Sequence, residues 1–104
     1  MYDADDLTVI ITDGVMCDCV EWTEEDTHKQ QITQTTDERL QEVFSKLLLA
    51  RKKERASPDG FLYEISVVRR DGKSNRAHPI KLLAVTDADE QGKPIITVMF
   101  ADEY

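Results

Sequence analysis

Two cysteines one residue apart, Cys17 and Cys19, and two histidines, His28 and His78, are the side chains in this chain with the most chemistry to offer. Together they supply the thiolate and imidazole that zinc prefers and that a nucleophilic catalyst needs. The spacing argues against both uses. Structural zinc sites set their cysteines roughly two to four residues apart so that a turn can wrap the ion, and a second pair is needed to close the site. Here the one pair is Cys17-x-Cys19. A cysteine nucleophile needs a base within hydrogen-bond reach, and His28 or His78 meets that need only through a tertiary arrangement the spacing does not dictate. Read as strand residues, the two cysteines share one face as small, partly buried hydrophobes, too close in sequence for a useful disulfide.

The familiar catalytic loops are missing as well. There is no Gly-x-x-x-x-Gly-Lys, no Gly-x-Gly-x-x-Gly, no Gly-x-Ser-x-Gly and no His-Glu-x-x-His in the 104 residues. The expectation is a non-catalytic chain with no cofactor and no metal. A small Cys/His enzyme or metal-binding domain stands as the third reading.

Charge is the next feature able to do something. The formal net charge is −8, and its distribution is uneven. Residues 1–27 carry nine acids and no Lys or Arg, residues 28–81 carry twelve bases against seven acids, and residues 82–104 carry five acids and one Lys. Such segregation can steer a partner of complementary charge, although acids also serve simply to keep a small domain in solution. Acidic stretches at residues 3–6, 21–26 and 87–90 could engage a basic groove on another protein. Within them Glu21, Trp22, Glu24, Glu25 and Asp26 form the candidate contact set, an aromatic side chain inside a carboxylate rim.

The basic residues support the second reading, nucleic-acid binding. Arg51, Lys52, Lys53 and Arg55 form one group, and Arg69, Arg70, Lys73 and Arg76 a second, which together could track phosphates. Against this stand the overall acidity and a simpler role for the first group, completing the negative end of a helix dipole.

The elements that must position these residues follow from periodicity and turn chemistry. Leu7-Thr8-Val9-Ile10-Ile11-Thr12, then Asp13-Gly14, then Val15 to Trp22, reads as a β-hairpin, since Asp-Gly supplies the positive φ of a two-residue turn. Its core face would hold Leu7, Val9, Ile11, Met16, Val20 and Trp22, with Asp18 a misfit among them. Residues 23–34 read as a polar connection, with room for a short strand near residues 31–33. Thr35-x-x-Glu38 is a capping box, and Leu40, Val43, Phe44, Leu47 and Leu48 recur at helical spacing, so a helix is predicted from about residue 36 to about residue 54, before Ser57-Pro58-Asp59-Gly60.

The second half reads as an antiparallel meander. Phe61, Tyr63, Ile65 and Val67 alternate onto one face, and Asp71-Gly72 signals a hairpin that would set His78 opposite Ile65 and Arg76 opposite Val67. Pro79 interrupts the returning strand. Residues 81–86 and 94–100, joined by 87–93, complete a third hairpin.

The whole is predicted to be one domain over residues 1–104: an α+β fold in which an antiparallel sheet of about five or six strands, built as hairpin, helix, then meander, carries one long helix on one face. Met1 to Asp6 is acidic where a secretory signal is basic, and no run approaches the roughly 18 apolar residues of a membrane span, so a cytoplasmic protein without membrane association is expected. Its expected partner is a protein with a basic surface. General analogy with small acidic chains suggests an inhibitor, an immunity protein or a mobile-element accessory factor. Exposed strand edges would also permit a homodimer.

Overall fold

The computed structural model describes residues 2–4, 7–53 and 60–102. Strands β1 (Tyr2–Ala4) and β2 (Leu7–Ile11) open the chain, and α1 (Asp13–Val15) runs directly into a π-helical turn (Met16–Val20). Then come α2 (Glu24–Gln30), the long α3 (Thr36–Lys53), β3 (Gly60–Val67), β4 (His78–Ala88) and β5 (Pro94–Phe100). The sheet order is β1-β2-β5-β4-β3, with the three-residue β1 at one edge beside four longer strands. The α+β class and the long helix are as expected. The sheet is mixed rather than antiparallel throughout, because β2 pairs with β5 in parallel, Thr8 opposite Ile95 and Ile11 opposite Val98.

The parallel pair follows from the path of the chain. β4 turns back on β3 and β5 turns back on β4, so β5 runs in the direction of β3. β2 shares that direction, and the connection from β2 to β3 crosses the sheet through α3. The β4–β5 hairpin then fills the gap between β2 and β3. Strand β2 is interior and correspondingly apolar along its length, with Leu7, Thr8, Val9 and Ile11 all buried.

Asp13-Gly14 does not make a hairpin. Val15 and Cys19, like Met16 and Val20, are four residues apart, a helical period that places Val15, Cys19 and Val20 in the core at 0% exposure. The packing of that face outweighs the turn preference of Asp-Gly. The segment closes with a widened turn in which the Glu21 N–H donates to the Met16 carbonyl at 2.9 Å. Asp18, the misfit of a strand reading, sits half-exposed on this helical turn.

Residues 24–30 are helical as well. Thr23 and Asp26 form a reciprocal capping box, and Gln31, in the left-handed region at φ 58°, ends the helix. The period of α2 is hidden because it meets the protein through polar side chains.

Helix α3 is close to its prediction. The Thr35 hydroxyl accepts the Glu38 N–H at 3.1 Å, Val43 and Leu47 are fully buried, and Leu40 and Phe44 flank them. Leu48 lies on the flank of that stripe and is 43% exposed. The predicted end near Glu54 and the stop signal at Ser57-Pro58-Asp59 lie outside the described residues. Phe61, Tyr63, Ile65 and Val67 meet the helix face as expected, joined by Ile80, Leu82 and Ala84 of β4 and Ile96 and Val98 of β5. Each Val, Leu, Ile or Phe among them contributes about 1.5–3 kcal/mol when fully buried. The Glu42 carboxylate fastens the helix to the end of β3 by accepting the Ser66 N–H at 2.7 Å while pairing with Lys46 at 2.8 Å.

The connection after β3 is longer than a two-residue turn. β3 and β4 pair with Val67 opposite His78 and Ile65 opposite Ile80, leaving residues 68–77 as a loop. His78 is therefore two residues away from its predicted register, and Arg76 lies in the loop. Asp71-Gly72 still turns the chain: the Asp71 carboxylate accepts N–H groups of Lys73 at 2.9 Å and Ser74 at 2.7 Å, with Gly72 at φ 79°. The β4–β5 hairpin is as predicted, its turn held by the Asp89 carboxylate, which accepts the N–H groups of Gln91 and Lys93. Among the described residues no helix is long and apolar enough to cross a membrane.

Candidate binding surface

At the amino end of α3 three segments converge: the π-helical turn, α2 and the loop 68–77. The side chain that ties the π-helical turn to the loop is Arg39. It lies four residues before Val43 on the inward face of the helix and is 3% exposed. Its guanidinium donates to the carbonyls of Val20 (3.2 Å), Val68 (2.8 Å) and Asp18 (2.8 Å) and to Oε1 of Gln34 (2.6 Å). The same group lies over the Trp22 ring, 4.8 Å from its centroid. Among the described residues no carboxylate pairs with it, so three carbonyl dipoles, one amide and an aromatic face stabilise this buried charge. Burial draws the guanidinium pKa down, and it stays protonated.

Gln30, 1% exposed at the end of α2, does for the loop what Arg39 does for the helices. Its amide donates to the carbonyls of Arg69 and Ser74 and accepts the N–H of Gly72. The loop is thereby held against α2, and its arginines meet the acids before them. Arg70 Nε donates to Asp26 Oδ2 at 2.8 Å, while its Nη1 donates to the Cys17 carbonyl at 2.7 Å and lies 3.8 Å from Glu21. Arg69 lies 3.8 Å from Asp18. Partial burial pushes the Asp26 carboxyl upward, but hydrogen bonds from the Thr23 N–H and hydroxyl and from Arg70 outweigh it and hold the group below the usual carboxylate range.

The candidate residues thus divide. Trp22 is buried, its indole N–H donating to the Thr27 hydroxyl at 2.8 Å, and Asp26 is taken up by the cap and by Arg70. Glu21, Glu24 and Glu25 remain exposed; Glu25 pairs with Lys29 at 2.8 Å in open solvent, which contributes little. Beside Glu24 lies a depression of about 280 Å³ lined by Trp22, Thr23, Glu24, Thr27, Thr33 and Gln34. Of the acids at residues 3–6, Asp5 and Asp6 lie outside the described residues, as does the side chain of Asp3. Of the acids at 87–90, Asp89 is spent on its turn.

The two basic groups are not brought together. Arg39 bonds the Val68 carbonyl, so the loop carrying Arg69, Arg70, Lys73 and Arg76 sits at the start of α3, whereas Arg51, Lys52 and Lys53 sit at its end. Eighteen helical residues separate those ends by about 27 Å. Arg55 lies outside the described residues.

The two cysteines are placed differently from one another. On a helical turn rather than a strand, Cys17 is exposed and Cys19 is buried. Among the described residues no three His, Cys, Asp or Glu side chains are grouped so as to hold a metal ion. Burial pushes the Cys19 thiol up to about 11, with the Arg39 charge opposing it. One thiol is therefore expected to react promptly with a chromogenic disulfide at neutral pH and the other only on unfolding. Cys17→Ser should abolish the prompt phase, and two equally fast thiols would contradict the burial.

Arg39 was open to detection in the sequence, since a charge at helical spacing from Val43 and Leu47 must be buried or break the stripe. Gln30 carries no such signal. No protein-family model, no curated protein and no solved structure matches this chain.

Proposed function

We propose that this chain is a non-catalytic protein-binding domain that presents the acidic edge of Glu21, Glu24 and Glu25 to a basic surface on a protein partner. The observation that supports it most is the division of charge within residues 18–26. Asp18, Glu21 and Asp26 lie on the side of the loop arginines, Glu21 still exposed, while Glu24 stands exposed at a depression that Trp22 also lines. A partner's Lys or Arg stem entering that depression would meet an aromatic wall and a carboxylate together. Occupying a basic groove in this manner is how an inhibitor or immunity protein would act, and a mobile-element accessory factor could work alike.

The nucleic-acid reading loses support from the same geometry. Arg69 and Arg70 are turned toward carboxylates, and the basic end of α3 stands apart from them.

Affinity capture from the native host with wild-type and Glu21→Gln/Glu24→Gln/Glu25→Gln baits tests the proposal. The expected result is a protein with a basic surface, retained by the wild type and bound on the order of tenfold more weakly by the variant. The melting temperature should change by no more than about 3 °C, since all three side chains are exposed. Equal retention by both baits would remove this edge from consideration.

A further inference from the structure

Helix α3 packs on one face of the sheet, where Val15, Cys19 and Val20 join the same core. On the other face, formed by the alternate residues of the same strands, apolar side chains hold the centre, with Glu64 and Lys81 toward one end and Asp87 toward the other. The register sets Leu62, Leu83 and Met99 in one row across β3, β4 and β5, and Val85, Thr97 and Ile10 in the next, with Ile95 beyond. Leu62 is 54% exposed, and Ile10, Leu83, Val85, Ile95 and Met99 are partly exposed. Monomeric proteins seldom leave a contiguous apolar sheet face open, whereas solvated faces of antiparallel sheets usually alternate to polar residues.

We propose that this face is the interface of a symmetric dimer of this chain. The choice of a second copy rests on charge. The outward residues of β4 are Lys81, Leu83, Val85 and Asp87, a cation and an anion at opposite ends of an apolar centre. A two-fold axis lying in the interface, perpendicular to the strands and crossing β4 at Ala84, stacks β4 antiparallel on its symmetry mate. Lys81 then faces the mate's Asp87, Leu83 faces its Val85, and the symmetry makes each pair twice. An axis along the strands would instead set Lys81 against Lys81 and Asp87 against Asp87. Sheets packed face to face lie about 10 Å apart with strands crossing at about 30°. Lys81 and Asp87 lie about 10 Å either side of the axis along the strand, so that crossing displaces them by about 5 Å, within the reach of a lysine side chain. Among the described residues Lys81 makes no ion pair. Glu64 lies opposite Lys81 on the neighbouring strand, at the Lys81 end of the face.

Sedimentation equilibrium over a range of concentrations gives the test. The wild type should approach twice the 11.9 kDa chain mass. Leu62→Glu should raise the dimer dissociation constant by at least about tenfold without changing the circular dichroism spectrum. Lys81→Glu and Asp87→Lys should each weaken the dimer by about tenfold, because each sets like charges against each other twice, while the double variant and an equimolar mixture of the two single variants should both recover it. A wild type that stays monomeric at every soluble concentration overturns the proposal, and so does a dimer indifferent to Leu62→Glu and to the charge exchanges. The result is independent of the acidic edge at α2, which lies at the end of the helical layer.

Discussion

Arg39→Met is expected to lower the unfolding free energy by about 3–5 kcal/mol, a large fraction of what a domain of this size possesses. The methionine fills much of the volume and keeps the hydrophobic stem, but it leaves the carbonyls of Val20, Val68 and Asp18 without the donor that now satisfies them. It also removes the cation from the Trp22 ring. Arg39→Lys should recover only a minor part, because an ammonium cannot span three carbonyls and a side-chain amide from one planar fork. Urea unfolding followed by Trp22 fluorescence measures this, as a lowered midpoint with the slope unchanged. A loss below about 1 kcal/mol would mean that the converging segments are held by something other than this guanidinium.

Gln30→Leu is expected to cost about 2–4 kcal/mol, and its effect should be localised. Leucine suits the buried site sterically, so the loss reports the three hydrogen bonds to Arg69, Gly72 and Ser74. Without them the loop 68–77 has no buried attachment to α2 beyond the contacts of Arg70. Hydrogen exchange should show the Gly72 amide losing protection while the amides of β3 to β5 keep theirs. Uniform loss across the sheet would place Gln30 in the global core instead. Released from α2, the loop would also free Arg69 and Arg70 from Asp18 and Asp26, so the variant should bind polyanions more tightly than the wild type does.

Much of the architecture was legible wherever one face of an element is apolar. The stripe of Leu40, Val43, Phe44 and Leu47 with the Thr35 cap gave α3, and strict alternation from Phe61 to Val67 gave β3 with its core face correct. The failures share a cause. At Asp13-Gly14 a strong local turn preference competed with a helical period in which one of four core positions is a cysteine, and the period won because Val15, Cys19 and Val20 are fully buried. The parallel pairing of β2 with β5 is a long-range outcome of chain path, which no local pattern records. Helix α2 escaped notice because its inward residue is Gln30, and a buried amide differs from a surface one only in its partners.

The candidate site was legible in composition and not in geometry. Glu21, Glu24 and Glu25 are as exposed as an acidic rim requires, but Trp22 and Asp26, adjacent in sequence, serve the interior. Their roles are decided by Arg39 and Arg70, which approach from residues far along the chain.

The account stands on the claim that the exposed edge of Glu21, Glu24 and Glu25 is available to a partner while Arg69 and Arg70 are engaged by carboxylates. Fluorescence polarisation at low ionic strength, with a labelled Lys/Arg-rich peptide and a labelled single-stranded oligonucleotide as probes, measures both halves. The predicted result is binding of the peptide alone, weakened by Glu21→Gln/Glu24→Gln/Glu25→Gln and unaffected by the charge-matched control Glu64→Gln/Glu90→Gln/Asp102→Asn. Binding of the oligonucleotide by the wild type, or equal weakening of peptide binding by the two triple variants, would contradict it.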